Sequence, residues 1–171
     1  MRTLFQTLLL VAWLAIPSLL FAMNGDAILG EWVTEGGDCR VEIFKRDQRY
    51  FGKILAIKPP NYLPGELDGM DGEPRQDSEN KDESMRSRPL VGIELLQDLL
   101  FDDGKWVGGS IYDPKNGTTY SCEISLAEDG TMRLRGYVGV SLLGRTTVWE
   151  SARVYREREL AFLGLCDCSR K

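Results

Sequence analysis

The most informative absence from this sequence of 171 residues is histidine, which does not occur in it. Without an imidazole, a chain has no Ser-His-Asp or Cys-His nucleophile, no histidine ligand for zinc and no imidazole acid or base. Carboxylates, lysines and thiols are present, but they form no recognisable catalytic motif. We therefore expect a protein that is not an enzyme and that needs no cofactor.

Positive charge is also in short supply. The chain has 21 Lys and Arg residues against 26 Asp and Glu residues, and its formal net charge is −5 at pH 7. These cations are not gathered into the basic patch or stripe with which proteins bind nucleic acid or anionic lipid. We therefore expect no nucleic-acid partner and an ordinary solvated surface.

A long hydrophobic run occurs only near the start of the chain. Arg2 precedes apolar residues from Leu4 to Ala15, and Pro17 interrupts the run before the small residue Ala22. This order of charge, apolar run and small residue is typical of a secretory signal. The run is shorter than the roughly 20 residues that span a bilayer. We therefore predict that residues 1–22 are a cleaved signal peptide rather than a transmembrane anchor, and that the protein works in the periplasm or outside the cell.

Turn residues divide the rest of the chain into short β-type runs, without a competing long helical pattern. The clearest turn is Asp113 to Gly117, which combines a proline with an Asn-Gly pair that tolerates positive φ. Eight such runs follow one another if the first begins at Ile28, and a meander of hairpins that closes on itself leaves no exposed edge. The pattern predicts an all-β domain over residues 23–155, a single antiparallel barrel of about eight strands, with a β-sandwich as the alternative.

Two segments do not follow this strand pattern. Residues 58–89 are dense in Pro, Gly, Asp, Glu and Asn, and a loop of this length in a compact domain is usually functional or mobile. We expect the loop to connect the third and fourth strands, where it could fold over one mouth of the barrel. The tail, residues 156–171, begins with a pattern that predicts a short amphipathic helix and ends in a Cys-x-Cys sequence.

Several stretches of the chain resemble one known family in their order and number. They are Gly30–Trp32, Val41–Ile43, Tyr50–Ile54, Arg86–Gly92, Ile111–Tyr120, Arg135–Gly139 and Leu143–Trp149. Together they resemble the secreted bacterial family called domain of unknown function 2147. The resemblance implies a lipocalin-type (calycin) barrel and an exported protein, and it implies no reaction. Many members of that family have a Cys-Gly pair where this chain has Phe51–Gly52, so a disulfide that uses that position is lost here.

The lipocalin resemblance also implies a role for the tryptophan near the start of the barrel. Gly30–Glu31–Trp32 is similar to the Gly-x-Trp of lipocalins, in which the indole plugs the closed end and an arginine of the last strand stacks over it. In this chain Arg145 or Arg153 would supply that arginine. A guanidinium over an indole face contributes about 1–2 kcal/mol when it is partly desolvated.

Four cysteines are present, and an even number in an exported chain favours disulfides. Cys39 and Cys122 each fall on the apolar face of a predicted strand, so we predict a disulfide between them, with two separate buried thiols as the alternative. Cys166 and Cys168 would then form a terminal disulfide, or act as a thiol pair in redox exchange or in binding a soft metal.

The predicted fold also suggests a ligand. An eight-stranded barrel is just wide enough to be filled by side chains or to hold one small molecule. We expect a small apolar or amphipathic ligand, and we expect strand glycines to leave interior space for it or to allow the sheet to coil. Those glycines are Gly92, Gly108, Gly109 and Gly136. The candidate pocket residues are Trp32, Tyr112, Tyr120, Arg145 and Trp149.

Tyr120 is expected inside the barrel, in phase with Cys122, whereas Tyr137 is expected outside or at the rim. The side of the wall on which Trp149 lies is left undecided. Two other functions stay open. One is a fully packed barrel that serves as a structural or interaction module, and the other is a thiol-redox protein that uses Cys166 and Cys168.

Acidic residues in the long loop form the weakest candidate site. Asp77, Asn80 and Asp82 offer oxygen ligands of the kind that Ca²⁺ prefers, but their spacing lacks the order of an EF-hand. A solvated acidic loop is the preferred interpretation, so no metal is expected. Arg86 and Arg88 are expected to anchor the loop to the barrel rim.

Overall fold

A computed structural model describes residues 24–163, and these form a closed antiparallel barrel whose eight strands follow one another in sequence order. The strands are β1 (Gly30–Val33), β2 (Cys39–Arg46), β3 (Arg49–Ile57), β4 (Glu94–Asp102), β5 (Lys105–Asp113), β6 (Thr118–Leu126), β7 (Met132–Tyr137) and β8 (Arg145–Ser151). The first strand also pairs with the last, Trp32 with Ser151 and Val33 with Glu150, which closes the sheet. The predicted meander barrel is confirmed, and the β-sandwich is excluded.

One α-helix, α1 (Ala152–Phe162), follows the last strand directly. It begins earlier than the helix expected from Arg156, because Ser151 ends β8 and its hydroxyl accepts a hydrogen bond from the Val154 N–H. A serine at this position satisfies one of the free N–H groups of the first helical turn. The short C-terminal helix is thus present, but its start is fixed by a cap.

A short 3₁₀ turn, Gly25–Ile28, plugs one end of the barrel, which we call the closed end. Trp106 Nε1 donates a hydrogen bond to the Gly25 carbonyl over 2.9 Å, and Trp32 Nε1 donates to the Ile28 carbonyl over 2.8 Å. Tyr50 donates its hydroxyl proton to Asp26 Oδ1 at 2.8 Å. Trp32 therefore lies at the plug, as its resemblance to the lipocalin motif implied.

The interior of the barrel is filled with apolar side chains from all eight strands. Burial of this surface is the main favourable contribution to folding, and close packing is the norm for such cores. The buried residues that form this single cluster are Ile28, Trp32, Val41, Ile43, Tyr50, Ile54, Ile93, Leu95, Leu96, Leu99, Trp106, Cys122, Ile124, Met132, Leu134 and Trp149.

The four glycines expected to leave interior space or to allow sheet coiling differ in their surroundings. A Cβ added to Gly109 would lie 2.5 Å from Leu99 Cγ, so a leucine already occupies that space. Gly92 and Gly108 have φ angles of +100° and +72°, which favour glycine for the backbone of a turn and of a β-bulge. Gly108 thus serves the coiling of the sheet and Gly109 leaves no free space, whereas an added Cβ at Gly136 would make only ordinary contacts.

The connection between β3 and β4, residues 58–93, is folded rather than loose. Isolated β-bridges join Asn61 to Pro74 and Gln76 to Pro89 within it. Its Asp77 is bonded to Tyr112, which follows the inward residue Ile111 in β5 and so points to the outer face of the wall. The segment therefore docks on the outer face at the barrel rim through this contact, while its last part, at Leu90 and Ile93, packs against the core.

Candidate functional site

The inner wall at the end opposite the plug, which we call the open end, is built by β5 to β8. Cys122, Gly136 and Arg145 lie in one row, because each is paired with the next across β6, β7 and β8. A Cβ added to Gly136 would lie 3.7 Å from Ile111 Cγ2 and 3.8 Å from Tyr120 Cβ. These contacts show that Ile111, Tyr120 and Gly136 share the inner face. We call Ile111, Tyr120, Gly136 and Arg145 the mouth.

The mouth is shallow. Tyr120 is half-buried and Arg145 is exposed, but the next inward residues along β6 and β7, Cys122 and Leu134, are buried. Along β8 the exposure likewise falls from Arg145 to the buried Trp149. Solvent therefore reaches only the outermost layer of the inner wall, above an apolar floor of packed side chains.

Arg145 has an exposed guanidinium with no ion-pair, hydrogen-bond or aromatic partner among residues 24–163. It does not cover Trp32, because Trp32 is paired with Ser151 at the far end of β8, about 20 Å away along the strand. Arg153 is exposed on α1 and has no aromatic contact in the described part of the chain. The stacking that the lipocalin resemblance implied for Arg145 or Arg153 is therefore not formed.

The loop that joins β7 to β8 exposes four large apolar side chains beside this mouth. They are Val138, Val140, Leu142 and Leu143, and they are between 59 % and 86 % exposed. Single exposed apolar residues are common, but a contiguous group of this kind usually marks a surface that binds something. We call residues 138–143 the apolar loop.

Hydrogen bonds to side chains of the outer face of the barrel wall hold the apolar loop in place at the rim. Arg135 Nε donates to the Ser141 carbonyl over 2.7 Å, and its Nη2 donates to the Leu142 carbonyl over 3.0 Å. The Ser141 hydroxyl donates to Glu123 Oε1 at 2.9 Å. The loop is thus fixed by charge-assisted bonds to the barrel wall, so the exposure of its apolar side chains is a built feature.

Only two of the five predicted pocket residues lie at the mouth, Tyr120 and Arg145. Trp32 and Trp149 are 5 % and 3 % exposed and belong to the core. Tyr112 lies on the outer face, and burial raises the pKa of its phenol to about 12. The alternation of β7 places Tyr137 on the face opposite Gly136.

Sequence reasoning missed Ile111 as a lining residue and missed the apolar loop altogether. A signal for the loop was present, because the stretch Val-Gly-Val-Ser-Leu-Leu puts four apolar residues where a hairpin connection is usually polar. The position of Ile111 beside Gly136 depends on strand register, which the local sequence does not contain.

The three calcium candidates are used in bonds within the protein. Asp77 is fully buried, and its carboxylate accepts hydrogen bonds from Asn80 Nδ2 at 2.7 Å, Tyr112 Oη at 2.6 Å and the Arg88 guanidinium at 2.8 Å. Asp82 Oδ1 accepts the Ser84 N–H. No group of three or more potential metal ligands occurs in the described part of the chain. Asp77 and Arg88 anchor the segment, whereas Glu79, Asp82 and Glu83 are exposed to solvent. The bonds of Arg86 lie within the segment, to the Asn80 carbonyl and to Glu83, so of the two expected anchors only Arg88 takes part.

The predicted disulfide between Cys39 and Cys122 is not formed, and both thiols are free. Three strands separate β2 from β6 in either direction around the barrel, so the two cysteines lie on opposite walls. Burial raises the pKa of Cys39 to about 11 and that of Cys122 to about 12, which keeps both thiols protonated and unreactive at neutral pH. Cys166 and Cys168 lie outside the described residues.

Comparisons with known proteins agree with this architecture. A family model described as "Uncharacterized protein conserved in bacteria (DUF2147)" matches residues 30–151. Among solved structures, the chain is similar to protein HP1028 from Helicobacter pylori, described as belonging to the lipocalin family. That likeness has a TM-score of 0.59 at 20 % sequence identity and covers 83 % of this chain and 92 % of that chain. No curated protein sequence is significantly similar to the chain. At this identity the likeness shows a lipocalin-like fold.

Proposed function

The chain belongs to the bacterial family DUF2147 and has a lipocalin-like barrel, and from this premise we propose that it binds a small apolar or amphipathic molecule at the open end. The observation that carries the proposal is the apolar loop, which Arg135 holds from the outer wall at the rim of a mouth whose floor is apolar. Fold alone assigns no function, so the proposal rests on this site.

The exposed side chains of the apolar loop provide free energy for binding when a ligand removes them from water. Fully burying a valine or leucine side chain contributes about 1.5 kcal/mol or more. Four such side chains are exposed to solvent on a loop that hydrogen bonds already hold in one conformation. A ligand that covers them gains this free energy without first ordering the loop, and preorganisation of this kind raises affinity.

We also propose that the protein acts after export, which rests on the apolar run from Leu4 to Ala15 and the small residue Ala22. None of the helices among residues 24–163 has the length and apolar character needed to cross a membrane. We expect material recovered from outside the cytoplasm to begin near Met23. N-terminal sequencing that still finds residues 4–20 would contradict this.

The binding proposal is tested by titrating an environment-sensitive apolar dye into the protein and displacing it with ten- to twelve-carbon compounds. The double variant Leu142→Ser, Leu143→Ser should bind at least tenfold more weakly, because two of the four exposed side chains are lost. Phe162→Ser, at a residue of α1 that is 90 % exposed, is the control and should bind like the unchanged protein. Absence of saturable binding to any compound would overturn the proposal.

A second candidate function is a packed barrel that serves as an interaction module, and the filled core favours it. Leu99 and Leu96 occupy the space beside Gly109 and Gly52, so no large ligand enters below the mouth. In this case the apolar loop would contact a protein. The two functions are distinguished by the dye titration, since a surface that binds only a protein does not give saturable displacement by decanoate-sized compounds.

A further inference from the structure

The mouth combines an apolar floor with the unpaired guanidinium of Arg145, and from this we infer that its ligand is an amphiphile with an anionic headgroup, a carboxylate or a phosphate, bound by Arg145. This inference rests on the proposed function and names the chemical class of the ligand. The headgroup would lie against the guanidinium and the hydrocarbon chain against the apolar loop and the edge of Ile111 and Tyr120.

The Arg145 guanidinium is available to bind a ligand, because no described residue forms an ion pair or hydrogen bond with it. Arginines elsewhere at this end of the barrel are committed, Arg88 to Asp77 and Arg135 to the carbonyls of the apolar loop. Arg145 has no partner among residues 24–163, although the chain carries 26 acidic residues and a net charge of −5. A planar guanidinium binds carboxylate and phosphate oxygens in pairs, and it is hydrated more weakly than an ammonium group.

The second argument is the glycine opposite Arg145. Gly136 has no φ in the left-handed region, and an added Cβ would make only ordinary contacts at 3.7 and 3.8 Å. By comparison, a Cβ at Gly109 would clash with Leu99. The fold therefore does not require glycine at position 136. Glycine at this position leaves the row between Cys122 and Arg145 without a side chain.

The third argument is the arrangement of charge and apolar surface. The apolar loop ends one residue before Arg145, with only Gly144 between Leu143 and the cation. A molecule that touches both must therefore change from apolar to anionic over a short distance. A fatty acid and a single-chain phospholipid share this chemistry, and the two are separated by the choice of probe.

The experiment compares three ten-carbon probes, decanoate, decyl phosphate and 1-decanol, each below its critical micelle concentration. Binding of each is measured by calorimetry or dye displacement. The unchanged protein should bind at least one anionic probe tenfold or more tightly than decanol. A stronger preference for decanoate would point to a fatty acid, and one for decyl phosphate to a phospholipid headgroup.

Arg145→Gln should remove the preference for the anion and leave the affinity for decanol within twofold. Arg133→Gln is the matched control, because Arg133 is an exposed arginine on the outer face of the neighbouring strand β7. This control should keep the preference. Gly136→Val, which adds a side chain to the mouth, should lower the affinity for all three probes.

Two results would overturn the inference while the proposed function stands. One is equal binding of decanol and the anions by the unchanged protein, and the other is an anion preference that survives Arg145→Gln. Failure of all three probes to bind would instead overturn the proposed function and the inference together. Circular dichroism and urea unfolding of each variant show that a loss of binding is not a loss of fold.

Discussion

Asp77 is the one fully buried charged residue among residues 24–163, and it joins the long β3–β4 segment to the outer wall of the barrel at Tyr112. Its carboxylate accepts bonds from Arg88, Asn80 and Tyr112. A buried carboxylate is tolerated only when its oxygens are satisfied in this way. A single substitution at Asp77 therefore removes the hydrogen bond that joins the segment to Tyr112 of the wall.

Asp77→Asn should lower the free energy of unfolding by about 2 kcal/mol, because it leaves Arg88 without its counter-ion. The loss is smaller than for a fully buried pair, since the Arg88 side chain is 35 % exposed. Asp68→Asn, an exposed position in the same segment, is the control and should change stability by less than about 0.5 kcal/mol. Urea unfolding measures both, and equal stabilities of the two variants would contradict the account of Asp77.

The buried phenol and thiols predict how stability changes with alkaline pH. Burial raises the pKa of Tyr112 to about 12, that of Cys39 to about 11 and that of Cys122 to about 12. In the unfolded chain these groups have their ordinary pKa values, about 10 for the phenol and about 8.5–9 for the thiols. Since folding favours the protonated forms, their contribution is complete below those values and is lost as the pH rises through 11 to 12.

The urea midpoint should therefore be level up to about pH 8.5 and fall between roughly pH 9 and 12. Tyr112→Phe should lower the midpoint at pH 8, through loss of the hydrogen bond to Asp77, and should make the alkaline fall less steep. A urea midpoint that is constant to pH 11.5 would contradict the raised pKa values. An equally steep alkaline fall in Tyr112→Phe would show that the Tyr112 phenol does not contribute to it.

The β3–β4 segment also touches the turn between β5 and β6. A Cβ added to Gly117 would lie 1.9 Å from the Glu79 carbonyl oxygen, and Gly117 has a φ of +63°. Gly130, in the turn between β6 and β7, has a φ of +78° but nothing within 4 Å of an added Cβ. The two positions share the backbone strain of a left-handed residue and differ only in the contact with the segment.

Gly117→Ala should therefore release the segment, whereas Gly130→Ala should not. Alanine at either position costs about 1 kcal/mol for the backbone, and the clash with Glu79 adds to this at Gly117 alone. Limited proteolysis should cut residues 58–93 faster in Gly117→Ala than in Gly130→Ala or the unchanged protein. Equal cleavage rates in the two variants would show that this contact does not hold the segment.

The strands could be predicted because each hairpin carries its own local signal. The sequence from Asp113 to Gly117 forms a turn whatever surrounds it, and it was found between β5 and β6. The docking of Asp77 on Tyr112 could not be predicted, because it joins residues 35 positions apart that have no local relation. The failed disulfide has a similar cause, since alternation shows that Cys39 and Cys122 face inward but not where each strand lies around the barrel.

The molecule as a whole has two different ends. At the closed end, two tryptophans and Tyr50 hold the plug Gly25–Ile28 through hydrogen bonds to its backbone and to Asp26. Within residues 24–163, no such plug covers the open end on the side of β5 to β8, where Tyr120 and Arg145 reach solvent. Sequence reasoning placed Tyr120 inside but distributed the candidate pocket over both ends, because it could not assign residues to a level along the barrel axis.

The central claim is that this open end binds a small amphiphile. It is tested most directly by methyl NMR of the chain from Met23 onward, labelled at Ile, Leu, Val and Met and titrated with decanoate. The account predicts saturable shifts at Ile111 and at the four apolar-loop residues Val138, Val140, Leu142 and Leu143, with Val107, Ile124 and Met132 unaffected. No saturable shift, or shifts that fall on the outer wall and leave the apolar loop unchanged, would contradict it.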